Sequence, residues 1–195
     1  MADTQTAIRE GALATADLRL AAAVLRKDRK ATAEFVERYS DAVYAYLYRR
    51  LVPRSDLVDD MAQEVFLAAW DSLSGYEGRA PLKSWLLGIA RHKVESHYRS
   101  LLREPLPLEE ETQESMAVEP LHDERMDRAR LAEYARQVIG TLPEPYAAAL
   151  LWRYWEKRSA AEMAEQTGKT IKAVERILAR AREQFKRRWK HEVSA

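Results

Sequence analysis

The stretch Ser159-Ala-Ala-Glu-Met-Ala-Glu-Gln-Thr-Gly168-Lys-Thr-Ile-Lys-Ala-Val-Glu-Arg-Ile-Leu-Ala-Arg180 has the register of a helix-turn-helix. Ser159 and Glu162 stand at capping-box spacing, which starts a helix just after 159. Small Ala164 falls where two helices must approach. Gly168 takes the tight turn, where the backbone has to turn left-handed, and Thr170 offers an oxygen to the free N–H groups of the next helix. Val174 and Ile177 then pack that second helix back on the first. A helix held this way enters the major groove N-terminus first. Thr170, Lys172, Ala173 and Arg176 would lie near base edges, with Glu175 able to accept from cytosine. Arg180, Arg182, Lys186, Arg187 and Arg188 would mostly meet phosphates, which position a protein without reading sequence.

Charge supports this reading. From Lys169 to Lys190 nine basic residues face only Glu175 and Glu183. A charge run alone is more often the solvated face of a three-helix bundle, and basic residues at a helix C-terminus also complement its dipole without DNA. The turn register and the excess positive charge together favour the nucleic-acid reading.

Upstream, Thr141 with Glu144 repeats the capping-box spacing, and Pro143 and Pro145 are tolerable in a first helical turn. A helix is expected from near Leu121 to Ile139, ended by Gly140. The segment Glu104 to Glu119, with prolines at 105, 107 and 120 on its edges and no sustained period, reads as a linker. Eight acids between Arg103 and Glu124 oppose one arginine, so the tether is negative and self-repelling. The preceding stretch is basic again, with six Lys/Arg from Arg79 to Arg103 against Glu95 alone.

The N-terminal part is helical by period. Leu18, Ala22 and Leu25, then Phe35, Val36, Tyr39, Val43, Tyr46 and Leu47, fall at the spacing of a helical face over residues 17–50, and Pro53 interrupts the pattern. Leu57, Met61, Val65, Ala68 and Ala69 resume the pattern. Ser74, Gly75, Gly78 and Pro81 mark a loop before a helix over Leu82 to Leu101. No strand pattern is present. The expected fold is all-α: a helical domain over 15–102, a flexible acidic linker over 103–124, and a helix-turn-helix domain over 125–191.

Composition bounds the function. A chain of 195 residues with 47% hydrophobic and 32% charged residues is folded and charge-rich rather than disordered or membrane-embedded. The apolar runs are too short to span a bilayer, and Met1 to Arg9 is polar, unlike a signal peptide, so a cytoplasmic location is expected. With no cysteine there is no disulfide, thiolate zinc site or cysteine nucleophile. No metal or other cofactor is expected.

Asp56-Leu-Val-Asp-Asp-Met-Ala-Gln-Glu-Val-Phe-Leu-Ala-Ala-Trp70 combines an apolar stripe with Asp56, Asp59, Asp60, Gln63 and Glu64 on another face. By itself it is an amphipathic helix. It resembles the sigma-factor region that grips the clamp-helix coiled coil of the largest RNA polymerase subunit, whose core is Asp-x-x-Gln-Glu-x-Phe. Asp60, Gln63, Glu64 and Phe66 match that core in register. Lys83-Ser-Trp-Leu-Leu-Gly-Ile-Ala-Arg91 is similar to the family's Trp-Leu-x-x-Ile-Ala-x segment, which opens the helix facing the minus-ten promoter element. Leu142-Pro143, Glu162-Met-Ala164, Gly168, Val174 and Arg180-Ala-Arg182 are similar to the minus-thirty-five domain. The order of these motifs is more specific than any one of them, and it resembles the two-domain extracytoplasmic-function sigma factors of the sigma-70 family.

That resemblance implies a promoter-recognition subunit and not an enzyme, since the polymerase performs the catalysis. It implies core polymerase binding through Leu57, Asp60, Gln63, Glu64 and Phe66. Minus-ten contacts would come from Tyr76, Arg79, Lys83, Arg91, His92, Lys93 and Arg99. Minus-thirty-five contacts would come from Thr170, Lys172, Ala173, Glu175, Arg176, Arg180 and Arg182. Trp85 is read as core rather than as a base-stacking side chain. Implied partners are core RNA polymerase, promoter DNA as duplex and melted strand, and an anti-sigma regulator, with no membrane insertion. The acidic linker would suit the positive channel that nascent RNA later occupies. Departures are His92 and Glu95, where the family has Asn and Asp, and Ile177, where Arg is frequent.

Two rivals explain less. A free-standing helix-turn-helix regulator accounts for 141–190 but leaves Asp56 to Arg99 unused, and would normally dimerise. A hydrolase built on His92, His97 and Glu95 lacks a third ligand at useful spacing and a phosphate-cradling glycine loop.

Overall fold

A computed structural model describes residues 2–52, 54–103 and 128–193, with side chains over 14–52, 54–103 and 130–189. The linker expected over 103–124 lies outside them apart from Arg103, as do Pro53 and the helix start near Leu121. All regular elements among the described residues are helical. The chain divides into two compact units, residues 1–51 with 56–94 and residues 52–55 with 95–195.

In the first unit, α1 (Ala2–Leu25) and α2 (Arg29–Tyr48) are separated by a short turn. Lys27 is left-handed there, with φ 63°. Asp28 then caps α2, its carboxylate accepting from the N–H groups of Lys30 at 2.8 Å and Ala31 at 3.1 Å. α2 buries Ala31, Phe35, Tyr39, Val43 and Leu47, one side chain per turn. A 3₁₀ turn over Ser55–Leu57 leads into α3 (Val58–Ser72), which buries Val58, Ala62, Val65 and Ala69. Rings lock the two stripes together, Phe35 standing edge-on to Tyr39 at 5.4 Å and to Phe66 at 6.0 Å. A second 3₁₀ turn, Leu73–Gly75, and a loop precede α4 (Leu82–Arg103). Leu82, Leu86, Ala90 and Val94 of α4 complete this core.

The apolar face expected for α1 is displaced. Leu18 and Leu25 are exposed, and so is Val36 on α2, while Leu20, Ala21 and Val24 are buried. The break at Lys27 resets the helical phase, so one continuous period over residues 17–50 does not describe two helices.

In the second unit, α5 (Arg128–Gly140) keeps Gly140 as its last residue rather than ending before it. Thr141 does not cap the next helix. Its hydroxyl donates to the Val138 carbonyl at 2.8 Å, closing α5 instead, and Pro143 occupies the cap position of α6 (Glu144–Leu150). α6 runs through the centre of the unit. Tyr146, Ala147, Ala148, Ala149 and Leu150 are all buried, as are Leu151 and Trp152 of the π-helical segment Leu151–Trp155 that continues it. α7 (Ala160–Thr167) and α8 (Ile171–Val193) follow. The C-terminal part of α4 belongs to this unit, with Tyr98 and Leu102 buried and the Tyr98 ring 6.4 Å from Trp152.

His97 is half-buried beside Glu144, with Nε2 3.7 Å from the carboxylate. Burial pushes its pKa down from 6.5 and Arg54 adds to this, outweighing the opposite pull of Glu144. A group depressed in the folded state stabilises the fold above its unfolded pKa and loses that contribution as pH falls through its folded pKa. Unfolding free energy should therefore decline from pH 6.5 downward, and His97→Gln should flatten the decline. Urea titrations between about pH 8 and about pH 5 read this directly; an equally steep loss in the variant rejects His97 as its source.

Candidate protein and nucleic-acid interfaces

The helix-turn-helix forms as its sequence predicts. The Ser159 hydroxyl accepts from the Glu162 N–H at 3.2 Å, and Glu162 accepts from the Ser159 N–H at 2.7 Å, a closed capping box. The Ser159 N–H, and its hydroxyl donating to the same carboxylate at 2.8 Å, hold the Glu162 carboxyl below the usual range with help from Arg158. Gly168 sits at φ 72°, ψ 14°. No atom outside its chain neighbours lies within 4 Å of a Cβ placed there, so the left-handed backbone, not crowding, calls for glycine. Thr170 Oγ1 accepts from the Ala173 N–H at 3.2 Å and starts α8. Ala164, Val174, Ile177 and Leu178 are buried between the helices.

Burial of one face turns the other outward. Thr170, Lys172, Glu175 and Arg176 are exposed, and Ala173 is half-buried beside them. Arg180 and Arg182 are half-buried, and Arg182 is engaged locally, donating to the Leu178 carbonyl at 3.1 Å and to Tyr154 Oη at 3.5 Å. Further along, Arg187 pairs with Glu183 and Arg188 donates to Gln184. Sequence reasoning passed over Ile171, 49% exposed in the first turn of α8. An apolar group there suits a thymine methyl.

On α3 the same logic presents Asp60, Gln63 and Glu64, all exposed. Leu57 and Phe66 are half-buried, and the Phe66 ring is committed in part to Phe35. Leu67, 58% exposed, and Trp70, 39% exposed, extend this face with apolar surface. The spacing 60, 63, 67, 70 was the signal that could have found them.

The residues read as facing the minus-ten element fall into two groups. Around the start of α4, Arg79 of the loop is exposed and pairs with Glu77, and Lys83 in the first turn of α4 is exposed, whereas Tyr76 of the loop is buried and donates from its hydroxyl to the Ala80 carbonyl at 2.7 Å. Trp85 is half-buried, 5.5 Å from the Tyr76 ring. On the body of α4, Arg91 and His92 are exposed, while Lys93 is half-buried and pairs with Glu64 of α3 at 3.1 Å. Arg99 lies on the later turns, lining with Ser96, Ser100 and Arg103 an open cleft of about 360 Å³.

Glu95, which departs from the resembled pattern, is buried. Its carboxylate receives Arg158 in a fork, with Nη2 at 2.9 and 3.0 Å and Nε at 3.1 Å. Arg158 also donates to Glu162 at 3.2 Å, so the start of α7 is tied to α4 within this unit. Glu95 is thus held by Arg158 and His97 faces Glu144, while His92 is exposed. Among the described residues no His, Asp and Glu cluster is arranged to hold a metal ion, and no helix is long and apolar enough to cross a membrane.

The sigma-70 region 2 family model matches residues 35–117, and the sigma-70 region 4 model matches residues 132–185. The RNA polymerase sigma factor YlaC of Bacillus subtilis is 25% identical, the match covering 83% of this chain and 93% of that protein. The ECF RNA polymerase sigma factor SigG of Mycobacterium tuberculosis is 30% identical over 76% of this chain and 46% of its own. A solved structure of CnrH in complex with the cytosolic domain of CnrY matches at 25% identity with a TM-score of 0.41, covering 88% of this chain and 95% of that one. The two matched regions, in this order, define a class of transcription initiation factors. The chain belongs to the sigma-70 family, in its extracytoplasmic-function (ECF) group.

Removing one partner of a desolvated ion pair leaves the other without its compensation. Arg158→Ala should cost the second unit about 2–3 kcal/mol. Replacing both partners, as Glu95→Leu with Arg158→Met, should recover most of that in urea unfolding; a double variant no more stable than the single one would count against the pair as the cause.

Proposed function

We propose that this chain directs core RNA polymerase to specific promoters and supports their opening, working in the cytoplasm. In this reading residues 15–102 bind polymerase and the minus-ten element, residues 125–191 bind the minus-thirty-five element, and 103–124 tether them. The observation that carries the reading is the pair of matched family regions in their family order. In the first, Asp60, Gln63, Glu64, Arg79, Lys83, Arg91 and His92 are exposed, and in the second Thr170, Lys172, Glu175 and Arg176 are.

Asp60, Gln63 and Glu64, with Leu67 and Trp70 beside them, offer a partner both acidic and apolar surface. Such a mixture gives orientation and buried area together. Arg79, Lys83, Arg91, Lys93 and Arg99 supply positive charge along the loop and α4 for the minus-ten region, with the His92 imidazole exposed beside them. Bases that leave the stack during opening need an apolar or aromatic pocket to receive them, and the loop 74–83 is the proposed place. On α8, Lys172 and Arg176 read base edges with Ile171 and Ala173 as apolar contacts. Arg180, Arg187 and Arg188 hold phosphates. An anti-sigma regulator that covers the α3 face until a signal removes it completes the scheme.

Charge reversal at Asp60 and Glu64 should abolish association with core polymerase while leaving the helical circular dichroism unchanged. Unaltered affinity in a pull-down with salt controls would defeat the α3 assignment. Arg176→Ala should relax base preference at one position by about 1–3 kcal/mol. Arg188→Ala should instead weaken all sequences alike and lower the slope of log affinity against log salt by about 0.9. Promoter binding by holoenzyme across salt concentrations separates the two; the same change in both measures for both variants rules the distinction out.

A further inference from the structure

The loop before α4 is held from α1. Asp17, 3% exposed, accepts the Leu82 N–H at 2.7 Å with one carboxylate oxygen and the Tyr39 hydroxyl at 3.3 Å with the other. Leu82 is the first residue of α4, so its N–H has no carbonyl within the helix to meet. A carboxylate from a different helix supplies the missing acceptor, and the positive end of α4 in turn favours the buried anion. The neighbouring Leu18 covers the middle of the loop. A Cβ on Gly78, whose φ is +73°, would meet the Leu18 side chain at 3.1 Å. Inside the loop, Tyr76 is buried and its hydroxyl fastens the Ala80 carbonyl. Burial, and then the Asp17 charge, keep that phenol above its usual pKa and so protonated as the donor.

We propose that Asp17, assisted by Leu18, is a positioning residue for promoter opening: it fixes the start of α4 and the loop 74–82, and thereby the placement of Arg79 and Lys83 toward the separating strands. This rests on the reading of that loop as the strand-capturing element. The carboxylate touches no DNA and acts through the Leu82 N–H and the packing over Gly78. Loss of a charge-assisted hydrogen bond from the support leaves the loop more conformations than the one that captures bases.

The test uses the full chain reconstituted with core polymerase, on one promoter as intact duplex and on the same promoter carrying a pre-opened mismatched bubble. Asp17→Asn keeps the shape and removes the charge; Asp17→Ala removes the acceptor. Each should slow open-complex formation on duplex by about tenfold, with little change on the bubble template and none in core affinity. Each should also speed hydrogen exchange at the Leu82 amide. Tyr39→Phe, which spares the Leu82 contact, should behave as the parent chain. Wild-type opening by both Asp17 variants overturns the proposal. So does equal loss on both templates together with loss of core binding, which would make Asp17 a folding residue only. Paired substitution of Arg79 and Lys83 by Ala is the control for the underlying reading. If it slows duplex opening and the Asp17 variants do not, the inference alone falls; if it has no effect on either template, the loop assignment falls and the inference with it.

Discussion

A carboxylate withdrawn from water has to be met by donors at fixed positions, because in a medium of low polarity its charge is otherwise too costly to keep. Each unit has such a carboxylate at the start of a helix. In the first, Asp17 sits under the start of α4; in the second, Glu95 receives the Arg158 guanidinium at the start of α7. Hydrogen bonds to ions are short and directional, so they select one geometry where apolar contact alone would accept several. The two helices whose beginnings are fixed this way are those that carry or aim the basic side chains of their units.

Apolar burial supplies the bulk of the cohesion around these points. α2 and α4 each bury one side chain per turn, and aromatic edges join α2 to α3. From Tyr146 onward α6 is buried on all sides, and three consecutive alanines let its neighbours come close. Where the continuous run ends, the π-helical segment keeps Leu151 and Trp152 inside while Tyr154 and Trp155 emerge at the surface. The helix-turn-helix is built against this centre, with α8 packed through Val174, Ile177, Leu178 and Ala181.

Features governed by neighbours in sequence were legible from the residues. The Ser159 box, the left-handed Gly168, the Thr170 cap and the inward Val174 and Ile177 all depend on separations of a few residues, and local spacing defines them. Helix phase was less secure: Leu18 and Leu25 continue a period that the turn at Lys27 resets. Thr141 had the right spacing for a cap, but the chain uses it to close the preceding helix because Pro143 takes the cap position. The buried ion contacts were invisible for another reason. Asp17 and Leu82 are 65 residues apart, and Glu95 and Arg158 are 63 apart; no periodicity relates them. On the outer face of α3, the polar residues Asp60, Gln63 and Glu64 stood out in the sequence and their exposed apolar neighbours Leu67 and Trp70 did not, since exposed apolar groups resemble core in a sequence.

The alanines of α6 set a limit on how this unit can change over evolutionary time. Ala147, Ala148 and Ala149 have almost no exposed surface, so a larger side chain at any of them would push against packed neighbours on every side. Thr170, Lys172, Glu175 and Arg176 meet water and carry no such restriction. Divergence among descendants of this chain should therefore accumulate on the outer face of α8 while its foundation stays frozen, a division of labour that lets the exposed face change without redesign of the scaffold.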